Sequence, residues 1–330
     1  MLKLIKTSYS ILLNELRTNN PLVNTRICSN LVEKFNSSKI ETNFKLDVII
    51  NNLKIGILKT KKNWFFNDKS KEWNLVYENS FFGQGTIRIY LPKEYKKVLI
   101  FLPGTLTSSN DVLSNPNNRF YLRKICADND IALVCWDWPL NGSRIKNGLI
   151  KNVSRYTSLE REYEKIFSLF SSSLWIEYIN EIMFIFKMLN LKLNQNDKIS
   201  LCGWSMGGFF SYYAPLCGLK IEKVVSAGSC ASIEDLISTG KFVNQGHFFF
   251  HNLNRHTIDL EEIIDLNLKN KTKHFIIFGE NDKNCLIETG NKLKRKFALK
   301  KYRNKFEIKI ISKIGHEFNK IVKDYIFTKI

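Results

Sequence analysis

The sequence predicts an α/β protein built on a mostly parallel, doubly wound sheet, and two patterns carry that expectation. The first is a set of short, mostly apolar runs rich in β-branched residues: Val98–Leu102, Ile131–Cys135, Lys198–Cys202, Val224–Ser226, Phe275–Phe278 and, interrupted by Glu307 and Lys309, Phe306–Ile311. A strand that alternates apolar and polar residues keeps one face wet. An unbroken apolar run keeps none, so these strands are covered on both faces, as in a parallel sheet. The second pattern is the placement of helix-compatible segments between most of the runs, at roughly 119–128, 159–192, 207–216, 286–300 and 317–327. Strand–helix alternation of this length implies right-handed crossovers and helices on both faces. Ligands of such sheets bind beyond the carboxyl ends of the strands, which is where the chemistry is expected.

Taken in order, residues 1–45 read as a helical N-terminal extension of two segments. Asn20-Pro21 separates them, and Pro21 suits a helix start, where a missing N–H costs nothing. The apolar run at the beginning is broken by Thr7, Ser8 and Ser10 with no small-residue cleavage site after it, which fits an amphipathic helix better than a secretory signal. Residues 46–330 form the main domain. Asp47–Leu58, Trp73–Glu78 and Thr86–Leu91 follow closely on one another, as antiparallel neighbours do. The longest apolar helix segment, Leu174–Leu191, carries Glu177, Glu181 and Lys187, so no membrane span is expected. Residues 230–272 hold Phe242, His247, Phe248, Phe249, Phe250 and His251, and are expected to form a small cap insert over the site or to pack into the core.

Composition bounds the partners. The chain has 330 residues, 44% of them hydrophobic, which is ample for one large core. Fifty Lys and Arg against 31 Asp and Glu give a formal charge of +19. The densest basic run, Lys292–Lys305, reads as the solvated face of a surface helix, and no zinc-finger or RNP pattern accompanies it. No nucleic-acid partner is expected, although weak contact with an anionic membrane surface is compatible with the charge. The seven cysteines are odd in number, contain no C-x-x-C and lie partly in apolar runs. They read as buried free thiols of a reducing, cytoplasmic compartment. His247 and His251 are four apart but lack the glutamate of H-E-x-x-H, so neither a metal nor a cofactor is expected.

The motif that carries chemistry follows the run KISLC: Gly203-Trp204-Ser205-Met206-Gly207-Gly208, and then a helix-compatible stretch. This is G-x-S-x-G in a strand–turn–helix setting. A nucleophile on so tight a turn needs small neighbours two residues before and after it, which Gly203 and Gly207 supply. The turn lifts the serine oxygen clear of the sheet and aims the Met206 N–H at a developing oxyanion, with the positive end of the helix dipole beneath. A serine needs a base. His316 lies in Gly315-His316-Glu317 after the last strand, and Asp282 lies in the loop after the penultimate strand, with Glu280 the less favoured acid because it hugs the strand end.

On these residues the chain resembles the α/β-hydrolase superfamily over roughly residues 47–330. The resemblance implies a mostly parallel sheet of the eight-stranded type covered by helices on both faces, and a catalytic triad of Ser205, Asp282 and His316. It also implies a second oxyanion donor from the loop Pro103-Gly104-Thr105-Leu106, namely the N–H of Thr105, or of Leu106 if the loop is offset by one. The HGGG loop of some lipases is absent, so a lipase reading is unsupported. Arg144, in the loop Asp137–Arg144, is a candidate to bind a substrate carboxylate or to pin its own loop, and Trp204 and Leu106 are further candidates to line the substrate site. The implied activity is hydrolysis of a carboxylic ester or thioester, with a small-molecule acyl substrate. Acyl transfer or peptide cleavage by the same triad, or a fold that binds without turnover, are the alternatives.

Overall fold

The computed structural model describes residues 56–141, 144, 160, 163, 167, 174–194, 196–229, 260–285, 287–298, 302 and 304–330. Among them ten strands form one sheet: β1 (Leu58–Thr60), β2 (Phe65–Asn67), β3 (Glu72–Asn79), β4 (Gly83–Tyr90), β5 (Lys97–Leu102), β6 (Ile131–Trp136), β7 (Lys198–Trp204), β8 (Lys223–Ala227), β9 (Lys273–Gly279) and β10 (Phe306–Ile311). Their spatial order is β1-β3-β4-β6-β5-β7-β8-β9-β10, with β2 paired to β3. The expected sheet of the eight-stranded type is thus enlarged by two three-residue strands at its antiparallel edge.

From β6 to β10 every pairing is parallel. The strands β1 to β4 are joined antiparallel to this core. The order reverses at β5: the chain steps out to β6 and then returns past β5 to β7. The carboxyl ends of β5 and β7 therefore lie side by side at a switch point, where a doubly wound sheet opens its crevice.

The period-two geometry of a strand sorts each apolar run onto two faces. Val98, Ile100 and Leu102 of β5 join one core, together with Ala132, Val134 and Trp136 of β6. That face is covered by α3 (Leu174–Asn190), α4 (Met206–Tyr213), α5 (Leu260–Lys269) and α6 (Ile287–Lys296). Leu99 and Phe101 join the other core, covered by α1 (Ser109–Leu113), α2 (Arg123–Asp128) and α7 (Lys320–Lys329). Each fully buried Leu, Ile or Phe contributes about 1.5–3 kcal/mol, so this two-sided burial is the main driving force for the fold.

Local signals account for several element ends. Ser108 caps α1 reciprocally with Asp111, a capping box. Asn319 caps α7 by accepting the Val322 N–H. The helix expected over 119–128 begins only at Arg123, because Asn118 holds the preceding residues in turns, accepting the Tyr121 N–H with its carbonyl and the Phe120 N–H with its side chain.

The expected helical extension, 1–45, and most of the expected strand 47–58 lie outside the described residues. So do residues 230–259 of the expected cap. Residues 260–269 form α5, which is packed against the sheet with Leu260, Ile263, Ile264 and Leu268 buried. Asn267 Nδ2 donates to Tyr212 O at 2.7 Å, pinning α5 to α4. This end of the expected cap segment therefore belongs to the helical cover of the sheet. Lys292 and Lys296, within the basic run, both pair with Glu261 of α5.

Candidate active site

The elbow that carries Ser205 is built by a turn with no spare room. Ser205 sits between β7 and α4 with φ +54° and ψ −117°, a backbone conformation that costs a non-glycine residue about 1–3 kcal/mol. It is held there by its N–H donating to Ala227 O at 2.9 Å and by its carbonyl accepting the Phe209 N–H at 3.0 Å. A Cβ on Gly207 would stand 2.0 Å from Leu102 O, so the turn closes directly onto the end of β5. The smallness that the sequence motif demanded thus has a specific partner: backbone, which cannot move aside.

Three loops converge on Ser205. His316, after β10, places Nε2 2.9 Å from Ser205 Oγ. Its Nδ1 lies 2.8 Å from Asp282 Oδ2, in the loop after β9. The other Asp282 oxygen accepts the N–H groups of Asn284 at 2.8 Å and Cys285 at 3.0 Å. These donors fix the carboxylate as an acceptor, so Nδ1 carries the hydrogen it shares with Asp282, and Nε2 is left to accept from the serine hydroxyl. The Asp282 side chain is fully buried, whereas that of His316 is 23% exposed, enough to meet a substrate. Gly279, Ile314 and Gly315 bring the loops after β9 and β10 into contact, and the Asn281 N–H donates to Ile314 O at 2.9 Å.

The loop after β5 supplies the fourth wall. Gly104 lies so close to the elbow that an added Cβ would be 3.2 Å from Ser205 Cβ. Residues 104–107 form a tight turn, closed by the Thr107 N–H to Gly104 O at 3.2 Å, with Leu106 at φ +65°. The Leu106 N–H is taken by Asn141 Oδ1 at 2.9 Å, and Asn141 Nδ2 donates to Gly104 O at 3.3 Å. Thr105 Oγ1 lies 3.7 Å from Met206 Sδ, which brings the two loops together. No described residue takes the N–H of Thr105 or of Met206. Of the two offsets considered for this loop, Leu106 therefore has its N–H engaged. The Leu106 side chain is 61% exposed beside the site, where it could meet a substrate.

Trp204 and Arg144 are placed differently from the substrate-binding expectation. Trp204 is 4% exposed; its indole centroid lies 4.9 Å from the His316 ring and 5.2 Å from Phe318. It supports the imidazole from below and offers no surface to a ligand. Arg144 is completely buried and forms a two-pronged ion pair with Glu181 of α3, one prong Nη2 to Oε2 at 3.0 Å. Its Nη1 also donates to Asp137 O at 3.1 Å and Tyr77 Oη at 3.2 Å. Burial works against its charge, but Glu181 outweighs that and holds the guanidinium firmly protonated. Its role is to pin its own loop.

Asn141 and the paired N–H groups of Asn284 and Cys285 are support that sequence reasoning missed. Asn141 stands in the Asp137–Arg144 loop already singled out, so its position was the available signal.

No protein-family model matches the chain, and no curated protein matches it in sequence. Solved structures do match in three dimensions. An acetyl xylan esterase from a Paenibacillus species aligns with a TM-score of 0.56 and 13% identity, covering 90% of this chain and 98% of that one. Acetyl xylan esterase 1 from a Thermoanaerobacterium species aligns with a TM-score of 0.55 and 15% identity, covering 91% and 92%. An S-formylglutathione hydrolase from Agrobacterium tumefaciens aligns with a TM-score of 0.52 and 12% identity, covering 81% and 98%. At such identities the likeness is one of fold, and with the switch-point sheet and the strand–turn–helix elbow it is clear which: the chain has the α/β-hydrolase fold.

Proposed function

We propose that the protein is a serine hydrolase that cleaves a carboxylic ester or thioester of a small-molecule acyl substrate through an acyl-Ser205 intermediate. The observation that carries this reading is the continuous relay from Ser205 Oγ to His316 Nε2 at 2.9 Å and from His316 Nδ1 to Asp282 Oδ2 at 2.8 Å.

In this reading Ser205 Oγ attacks the acyl carbon while its proton passes to Nε2. Asp282 stabilises the imidazolium without taking the proton. The oxyanion is received by the N–H groups of Met206 and Thr105, one from the start of α4 and one from the loop after β5. The imidazolium then protonates the departing alkoxide or thiolate. Water, deprotonated by the same Nε2, releases the acyl group. Ester and thioester substrates are favoured because neighbours of the same fold are named for esters of acetylated xylan and for S-formylglutathione. The free, buried thiols of Cys126, Cys135, Cys202 and Cys217 suit a reducing compartment, and a cytoplasmic location is part of the proposal. No helix among the described residues is long and apolar enough to cross a membrane.

The test is covalent labelling with a fluorophosphonate, together with turnover of short-chain p-nitrophenyl esters and thioesters. Labelling of the wild-type protein that disappears in Ser205→Ala and His316→Ala is the expected result. Labelling that survives in Ser205→Ala, or a folded wild-type protein that neither labels nor turns over, overturns the assignment.

A further inference from the structure

Cys285 stands against the back of the relay and has no part in the steps above. Its Sγ lies 3.9 Å from His316 Nδ1 and 3.1 Å from Gly228 O, to which the thiol donates. With Asp282 it completes a group of three different donors, a carboxylate oxygen, an imidazole nitrogen and a sulfur, all within 4.8 Å of one another. It is the sole such group among the described residues. We propose that Asp282, Cys285 and His316 form a zinc site whose occupation switches the serine off.

The chemistry fits zinc in kind and in charge. Thiolate, imidazole and carboxylate are its usual ligands, and three protein donors plus one water or carbonyl complete a tetrahedron. One thiolate and one carboxylate neutralise Zn²⁺, so the ion joins these largely buried donors without leaving net charge behind. Ligand bonds of about 2.0 Å to nitrogen and oxygen need those atoms roughly 3.3 Å apart in a tetrahedron. Nδ1 and Oδ2 stand at 2.8 Å, so a parting of a few tenths of an ångström admits the ion. Gly228 O, beside Sγ, is at hand as the fourth ligand.

Binding rewrites the tautomer. Zn²⁺ takes the lone pair of Nδ1 and the thiolate of Cys285. The thiol proton leaves to solvent, and the proton that Nδ1 shared with Asp282 is transferred to Nε2. Nε2–H can no longer accept the Ser205 proton, so the base is disabled while the nucleophile stays in place. The binding stands on the donor geometry alone, whereas the switching rests on the triad reading above.

Binding and switching are measured separately on the full chain. Zn²⁺ affinity is read by competition with a chromophoric chelator. Cd²⁺ is added as a probe whose thiolate bond shows an ultraviolet charge-transfer band. The expected result is one tight Zn²⁺ per chain, weakened at least about tenfold in both Cys285→Ala and His316→Ala, with the cadmium band absent from Cys285→Ala. Cys285→Ser, which keeps the side-chain shape but not the sulfur, should weaken binding similarly, and an unchanged thermal unfolding temperature shows that the variant is folded. Equal affinity in Cys285→Ala, or no stoichiometric binding by the wild type, overturns the site. Fluorophosphonate labelling then reports the switch: Zn²⁺ should suppress labelling of the wild type and spare Cys285→Ala at the same concentration, each relative to its own metal-free rate. Undiminished labelling of zinc-loaded wild type overturns the switch. A wild type that binds zinc but never labels, even without metal, shows instead that the hydrolase reading has failed.

Discussion

Arg144 and Glu181 meet as a doubly hydrogen-bonded ion pair with neither side chain exposed to solvent. Around them Tyr77 Oη donates to Glu181 Oε1 at 2.7 Å, and Asn79 Nδ2 donates to Oε2 at 3.2 Å. Burial and the adjacent carboxylate hold the Tyr77 hydroxyl protonated, so it remains a donor. The network ties the loop after β6 to α3 and to the antiparallel edge. Truncating either charge strands the other, at a cost of about 3–5 kcal/mol. Arg144→Met and Glu181→Leu should each lower stability by that amount in chemical denaturation, and the double variant should lose less than the two singles together. A substrate-binding arginine would behave otherwise, raising KM with stability unchanged.

Asn141 holds both ends of the turn that presents Thr105, through the Leu106 N–H and Gly104 O. Asn141→Ala frees that turn without touching the triad. Turnover should fall about 10- to 100-fold, less than the 10²–10³-fold expected for outright loss of an oxyanion donor. The loss should lie mainly in kcat, because the donor matters most when the oxyanion forms. Asn141→Asp should be nearly as poor, since a carboxylate can accept from Leu106 but cannot donate to Gly104 O. A change confined to KM would place Asn141 against the substrate instead.

Strain at Ser205 gives a stability signature of the elbow. Its φ of +54° suits glycine and is unfavourable for any residue with a Cβ. Ser205→Gly should therefore be more stable than both the wild type and Ser205→Ala, by about 1–2 kcal/mol, with hydrolysis abolished in both variants. Denaturant midpoints for the three proteins decide the matter. Equal midpoints for the glycine and alanine variants would mean that the elbow is relaxed in solution.

The parallel half of the sheet was legible because unbroken apolar runs have one structural meaning when they are short and separated by helices. Phe306–Ile311 coincides with β10 although Glu307 and Lys309 interrupt it, as an edge strand allows, and KISLC lengthens only to Trp204, because pairing with Ala227 carries the strand into the elbow. Helix α5 was legible in principle, since Leu260, Ile263, Ile264 and Leu268 repeat at helical spacing. The aromatic content of the neighbouring residues drew that segment into an insert. For Arg144 the sequence left two readings open, a substrate carboxylate or its own loop, because a charged residue in a loop after a core strand can serve either. Its partner Glu181 is 37 residues away in an otherwise apolar helix, and no local pattern joins the two. Two carboxylates, Glu177 and Glu181, on a helix buried on nearly every side were the clue that hydrogen-bond donors had to reach them. The grouping of Cys285 with Asp282 and His316 was hidden for the same reason, because loop ends 31 residues apart meet only once the sheet has closed.

His274, in β9, sets an acid limit on the fold. The ring is completely buried against Tyr212, and neither ring nitrogen has a hydrogen-bond partner among the described residues. Burial depresses its pKa from 6.5 to about 3. The folded chain therefore binds fewer protons at this site than the unfolded chain throughout that window. Its contribution to stability is complete above pH 6.5 and declines as the pH falls, by about 1.4 kcal/mol per unit, until the folded protein itself takes up the proton near pH 3. His274→Leu is close in volume and has nothing to protonate or to leave unpaired. At pH 7 it should gain about 1–3 kcal/mol from removal of the unpaired polar group. Between pH 6 and about 4 its advantage should widen by roughly 1.4 kcal/mol per unit. Denaturant unfolding of both proteins at pH 7, 6, 5 and 4 measures that divergence directly; parallel curves would mean that the ring is solvated or paired in the folded protein.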